Sequence, residues 1–159
     1  MPLRDSKSGK SLESSIDLVI KSDYDWVKKS KKFKFDWKIE SPNEVYKIYL
    51  IDEEDEILGL MSLVDYPTEY RIHLNLIETA ADQRGEMKTI ENIAGCLLAF
   101  ACQVSFTRGY YGFLSLQPKT RLISLYQEKY GFQQFGRQLA VEGESSRLLI
   151  QKYLFHEEE

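Results

Sequence analysis

A chain of 159 residues that is 43% hydrophobic and 13% aromatic has enough apolar material for the core of one domain. Its net charge of −4 excludes a general nucleic-acid binder, which needs a basic surplus on some face. No apolar run reaches the ~20 residues of a membrane span, and the polar start MPLRDSKSGKSLESS is not a secretory signal, so a cytoplasmic protein is expected.

Residues 1–14 read as a flexible N-terminal tail, and the single domain is expected over 15–155. IDLVIK, from Ile16, is short and β-branched, which predicts a strand. Residues 22–30 hold a helical turn or two, with Ser22 and Asp23 as caps and Trp26 and Val27 as the apolar grip. FKFDWKIE alternates Phe33, Phe35, Trp37 and Ile39 with Lys34, Asp36, Lys38 and Glu40, which predicts a strand with one wet face. VYKIYLID and ILGLMSLVD flank the charged loop 53–56 and read as an antiparallel pair. YRIHLNLIE alternates again, placing Ile72, Leu74 and Leu76 on one face.

The period then changes. TIENIAGCLLAFACQVSFTRG carries an apolar stripe at helical spacing and ends at Gly109. YYGFLSL is a short strand. Pro118 and Thr120 open a second helix, with Leu122, Leu125 and Tyr126 facing inward and Gly131 closing it. FQQFGRQLAV and SSRLLIQKYLF read as the last two strands, and HEEE as a solvated acidic tail. A strand, a helix and another strand in succession require a parallel neighbour reached by a crossover, so the sheet is expected to be mixed, mostly antiparallel and flanked by helices, an α/β (α+β) class.

Cys96 and Cys102 lie six apart on one helix, about 240° around its axis, so they do not share a metal and read as core residues. His73 and His156 have no partner at ligand spacing, and no metal site is expected. Lys28, Lys29, Lys31, Lys32 and Lys34 cluster around Phe33 and Phe35; a solvated edge is the leading interpretation, nucleic-acid binding the lesser one.

The segment LYQEKYGF, residues 125–132, resembles the end of the second conserved helix of the GNAT superfamily of N-acetyltransferases. That helix ends in a leucine or aromatic, a tyrosine, a charged pair, a variable residue and Gly-Phe. Leu97-Leu98 through Arg108-Gly109 and the strand GFLSL support the resemblance, which covers about residues 45–153. The family's first motif, a glutamine or arginine followed by spaced glycines, falls on Thr89, Asn92 and Ala94, and only Ala94 fits. Asparagine is the best non-glycine substitute in a left-handed conformation. Lys119 stands where the family often has asparagine. The segment between the first two strands is shortened, which implies an open acceptor pocket.

The resemblance implies acetyl transfer from acetyl-CoA to a primary amine by direct attack. Tyr126 would be the acid that protonates the departing thiolate, and Glu78, at the end of its strand, the candidate base. Leu76 and Ile77 would hold the acetyl and pantetheine arm by backbone groups. Lys88, Thr89, Asn92, Ile93, Ala94, Gly95 and Lys119 would hold the phosphates, chiefly through backbone N–H groups at a helix N-terminus. By spacing alone Tyr126 reads as a core residue, and only the resemblance brings the acid role level with it. The alternative is a catalytically weak or inactive module of this fold that binds acyl-CoA or a protein partner. The acceptor would be a small-molecule or peptide amine. Edge-strand pairing leaves a homodimer open.

Overall fold

The computed structural model describes residues 2–155, without the side chain of Thr120. His156 and the acidic run after it lie outside the described residues. Nine strands form one sheet: β1 (Pro2–Asp5), β2 (Ser11–Leu18), β3 (Glu44–Leu50), β4 (Gly59–Tyr66), β5 (Arg71–Thr79), β6 (Ile90–Glu91), β7 (Leu114–Leu116), β8 (Gln133–Phe135) and β9 (Gln138–Val141). Among the described residues four α-helices accompany them: α1 (Lys21–Ser30), α2 (Ile93–Thr107), α3 (Ile123–Tyr130) and α4 (Gly143–Tyr153). The strand order is β6-β1-β2-β3-β4-β5-β7-β9-β8, antiparallel throughout except for β5 and β7. That is the mixed, mostly antiparallel sheet flanked by helices that the sequence predicts.

Two cores form. The larger lies between the sheet and α2, where Leu97, Leu98, Ala101 and Cys102 pack with Ile48, Met61, Ile72 and Leu114. Helix α2 is apolar nearly all round because α4 covers its other side, and a helix buried on both sides has no wet face. The smaller core holds Val27 of α1 with Trp37, Val45, Ile57 and Leu60. Both cysteines are buried and free, and burial pushes each thiol up to about 12.

Four sequence expectations are overturned. Residues 1–14 are not a loose tail: β1 pairs with both β2 and β6, and Leu3 is buried. The turn between β1 and β2 is local chemistry, since the Asp5 carboxylate accepts the N–H groups of Lys7 and Ser8 and Gly9 takes a left-handed φ of 73°. FKFDWKIE is not a strand. It is an irregular strap followed by a 3₁₀ turn, Trp37–Glu40, started by Asp36 accepting from the Lys38 N–H. Only Trp37 of its four alternating apolar residues is fully buried, and Ile39 is exposed.

Residues 145–153 of SSRLLIQKYLF lie in α4, with Leu154 and Phe155 just beyond it. Gly143, Ser146, Leu149 and Tyr153 are its buried residues, three or four apart, which is a helical period. FQQFGRQLAV is split by a tight turn at Gly136, where φ is 60°, into the hairpin β8–β9. Beyond these, α2 begins later than its apolar pattern, because β6 and a left-handed Asn92 (φ 76°) precede it.

A fifth difference decides the site. Leu63 pairs with Leu74 but Ser62 pairs with Leu76, so Asn75 is a bulge. One extra residue reverses the alternation. Ile72 and Leu74 face the larger core, whereas Leu76 packs toward the smaller one and Glu78 shares its face. His73 and Glu78, on opposite faces by simple counting, are on the same face.

A trough where two parallel strands part

Strands β5 and β7 are paired only from Ile72↔Leu114 to Leu74↔Leu116. Pro118, which has no N–H to continue a ladder, follows close after β7, while β5 runs on past its bulge to Thr79. The part of β5 beyond Leu74 therefore has β4 on one edge and a gap on the other. A cavity of about 540 Å³ fills the gap. Its walls are residues 74–79 of β5, residues 116–119 after β7, Leu122, Leu125 and Tyr126 at α3, and Lys34 and Phe35 of the strap. A second cavity of about 260 Å³ lies at the N-terminus of α2, and both are lined by Thr79 and Arg84.

Tyr126 is buried, with its ring against Phe132 at 5.5 Å and Tyr130 at 6.0 Å between centroids. Its hydroxyl bonds to no described residue, yet Tyr126 lines the larger cavity. Burial raises its pKa above the ordinary tyrosine value and keeps the proton on the oxygen. The ring is thus a core residue, while the hydroxyl has no partner among the described residues.

Glu78 is different. It is 6% exposed, and its carboxylate accepts from the backbone N–H groups of Lys34 and Phe35, from the Trp37 indole at 2.8 Å and from Arg84 at 2.8 Å. Arg84 also donates to the Thr79 carbonyl at 2.6 Å. The neighbouring Ala81 N–H bonds the Lys32 carbonyl at 2.8 Å, and the Lys32 ammonium pairs with Asp82 at 2.9 Å and with Glu56. The strap is thus fastened to the end of β5. This explains the failed strand: its N–H groups bond to a carboxylate instead of to a neighbouring strand.

At the N-terminus of α2 the left-handed Asn92 turns the chain into the helix, and no side chain caps the first turn. Lys88, Asn92, Ile93, Ala94 and Gly95 all line the smaller cavity, together with Arg84, Lys129, Tyr130 and Tyr153. Thr89 does not. Its hydroxyl is engaged by the Gln83 amide at 2.9 Å, and the Gln83 carbonyl accepts the N–H groups of Thr89 and Ile90 at 3.0 Å each. Lys88 pairs with Glu91 at 3.1 Å. Uncapped N–H groups and nearby cations suit a pyrophosphate, and the adjoining gap suits an extended thioester arm. Leu76, Ile77 and Lys119 line the larger cavity.

Sequence reasoning passes over several residues of the site. Asn75, at the bulge, donates to Glu40 Oε1 at 2.7 Å, and Asn43 donates to the same oxygen at 3.3 Å. The bulge itself has no sequence mark beyond an asparagine in a strand. Tyr153 is missed because its segment reads as a strand. His73 sits elsewhere on the sheet, with Nδ1 2.9 Å from Ser115 Oγ. Burial first, and Arg71 second, lower its pKa.

No protein-family model matches the chain, and no curated protein matches it in sequence. Solved structures do match in fold. The crystal structure of AtaTR bound with AcCoA is 13% identical, covers 86% of this chain and 98% of its own, and has a TM-score of 0.56. Ard1 from Thermoplasma volcanium is 12% identical, covering 83% and 99%, at a TM-score of 0.58. An acetyltransferase of the GNAT family from Staphylococcus aureus Mu50 is 14% identical, covering 78% and 87%, at 0.54. The architecture is first of all that of a mixed sheet whose two parallel strands part beside a helix N-terminus. More narrowly it is the fold that GNAT N-acetyltransferases share.

Proposed function

We propose that the protein transfers an acetyl group from acetyl-CoA to a primary amine by direct attack. The observation that carries this reading is the unpartnered Tyr126 hydroxyl in the wall of the cavity where β5 and β7 part, a cavity that shares Thr79 and Arg84 with the one at the uncapped N-terminus of α2. The backbone of residues 92–95, with Lys88 and Arg84, takes the pyrophosphate. The free edge of β5 at Leu76 and Ile77 takes the pantetheine arm and acetyl group, and Lys119 lies along the same wall.

The lone pair of the neutral amine attacks the thioester carbonyl. The C–S bond breaks, and the departing thiolate takes the proton of Tyr126, which the solvent replaces. A hydroxyl aimed at the sulfur stabilises charge that develops only in the transition state. The amine's own proton needs a separate acceptor. We assign Glu78 to holding the strap rather than to this step, because four donors already occupy its oxygens. The better candidate is Glu40, which meets the bulge through Asn75 and whose second oxygen bonds to no described residue. The acceptor enters past Lys34 and Phe35, as a small or peptide amine.

The test is melting temperature with and without acetyl-CoA for the wild type and Tyr126→Phe, followed by turnover on a panel of amines. Ligand at about 100 times its dissociation constant adds ~2.7 kcal/mol, a rise of several degrees. A rise in both proteins, with turnover in the wild type alone, is the expected result. Binding without turnover of any amine points to the second reading, a module that holds acyl-CoA. That reading draws support from Thr89, whose hydroxyl is committed to Gln83. No rise in the wild type removes the cofactor and the enzyme together.

A further inference from the structure

The C-terminal helix ends inside the smaller cavity, and this is not explained by the reaction proposed above. Tyr153, in the last turn of α4, is 3% exposed and lines that cavity. Its ring lies against the first turn of α2. A Cβ built on Gly95 would stand 2.4 Å from the ring's Cε1 and 2.6 Å from Cζ, the carbon that bears the hydroxyl. Gly95 is therefore glycine because a tyrosine from another helix occupies the space of its side chain. The Cys96 thiol donates to the Tyr153 carbonyl at 3.4 Å, which fastens the same residue a second time. The Tyr153 hydroxyl bonds to no described residue. Every fully buried side-chain nitrogen or oxygen among the described residues has a partner, so this hydroxyl faces the open cavity. There it can both donate and accept a hydrogen bond.

Its surroundings identify the partner chemically. Lys129, Lys88 and Arg84 line the cavity with it, Lys88 paired there with Glu91 and Arg84 with Glu78, and the uncapped N–H groups of α2 open into the same space. All of these favour an anion with several acceptor oxygens. Thr89, at the motif position that would serve this purpose, faces Gln83 instead.

We propose that the Tyr153 hydroxyl is a ligand of the coenzyme pyrophosphate, so that α4 is part of the cofactor site and supplies a hydrogen bond that Thr89 does not. This rests on the acetyl-CoA reading given above. It goes further, because it ties cofactor binding to the docking of the C-terminal helix. Coenzyme bound there bridges α2 and α4 and holds the last turn of α4 in place.

The experiment is titration of wild type and Tyr153→Phe with CoA and with dephospho-CoA, which keeps the pyrophosphate but lacks the 3′-phosphate. Phenylalanine preserves the ring against Gly95, so the unliganded melting temperature should stay within about a degree. The expected result is roughly tenfold weaker binding of both ligands to the variant, by the same factor. Amide hydrogen exchange in the last turn of α4 should also slow on adding CoA to the wild type and slow less in the variant. Equal or tighter binding by Tyr153→Phe overturns the proposal while leaving the cofactor reading intact. A loss seen with CoA but not with dephospho-CoA overturns it too, because the contact would then be to the 3′-phosphate. If the wild type binds neither ligand, the cofactor reading falls and takes this one with it.

Discussion

Glu78 and Tyr126 line one cavity and are opposites in their bonding. The carboxylate accepts four hydrogen bonds from three directions, while the hydroxyl has no partner among the described residues. A group whose bonding capacity is used up is part of the scaffold, and a group at a cavity wall with capacity to spare is available for chemistry. Sequence position treats them alike, since both sit where the GNAT resemblance expects function. The structure separates them by what each already holds.

That contrast can be broken by mutation. The largest effect expected is on turnover: Tyr126→Phe should lower kcat by about 10²- to 10⁴-fold with little change in melting temperature. Measured acetyl transfer and thermal melting together check it, and a variant as active as the wild type returns Tyr126 to the core. Glu78→Ala should do the reverse in kind. It leaves Trp37, Arg84 and two backbone N–H groups without their acceptor, and should cost about 3 kcal/mol in chemical denaturation. If the stability is unchanged and only turnover falls, Glu78 is the base after all. Gly95→Ala comes next, with overpacking against the Tyr153 ring of about 1–3 kcal/mol, read from the same denaturation curves.

The smallest effect concerns pH. The pKa of His73 is lowered in the folded protein, so its stabilising contribution is present above its unfolded value of about 6.5. As the pH falls below that value the unfolded chain gains a proton that the folded chain resists, and stability drops. His73→Gln should flatten the melting temperature below about pH 6.5. Tyr126 gives the opposite sign: its raised pKa keeps stability intact below about pH 10, and that share is lost as the pH rises through the folded value. An acid limb unchanged by the His73 substitution sinks the first half of this prediction.

The sequence was most legible where periodicity and turn chemistry agree. The charged loop 53–56 between two apolar runs is the β3–β4 connection, and Gly131 ends α3 with a φ of 77°. Asn92 takes the left-handed backbone expected of an asparagine standing in for glycine. Legibility failed where long-range partners decide. The alternation in FKFDWKIE is real, but its N–H groups find Glu78 more than forty residues away. Leu148, Leu149 and Ile150 read as a strand because three apolar residues in a row have no period. The buried set at 143, 146, 149 and 153 is visible only once α2 is known to need a cover. Of the site, Tyr126 could be reached by motif, and the backbone at residues 92–95 by the logic of a helix start. Asn75 and Tyr153, which line its cavities, had no local signal.

The bulge at Asn75 has one more consequence. Because it rotates the chain by half a turn of the pleat, β5 serves the larger core with Ile72 and Leu74 before the bulge, and beyond it turns Leu76 to the smaller core while Ile77 packs against the larger. A single strand is thereby shared by two cores that otherwise lie on opposite faces. Neither core can come apart without releasing its hold on the other's boundary, so the two should melt as one cooperative unit. Deleting that one asparagine would restore the simple alternation. It would also turn Glu78 away from the strap it fastens, a lesion far larger than the loss of one small side chain.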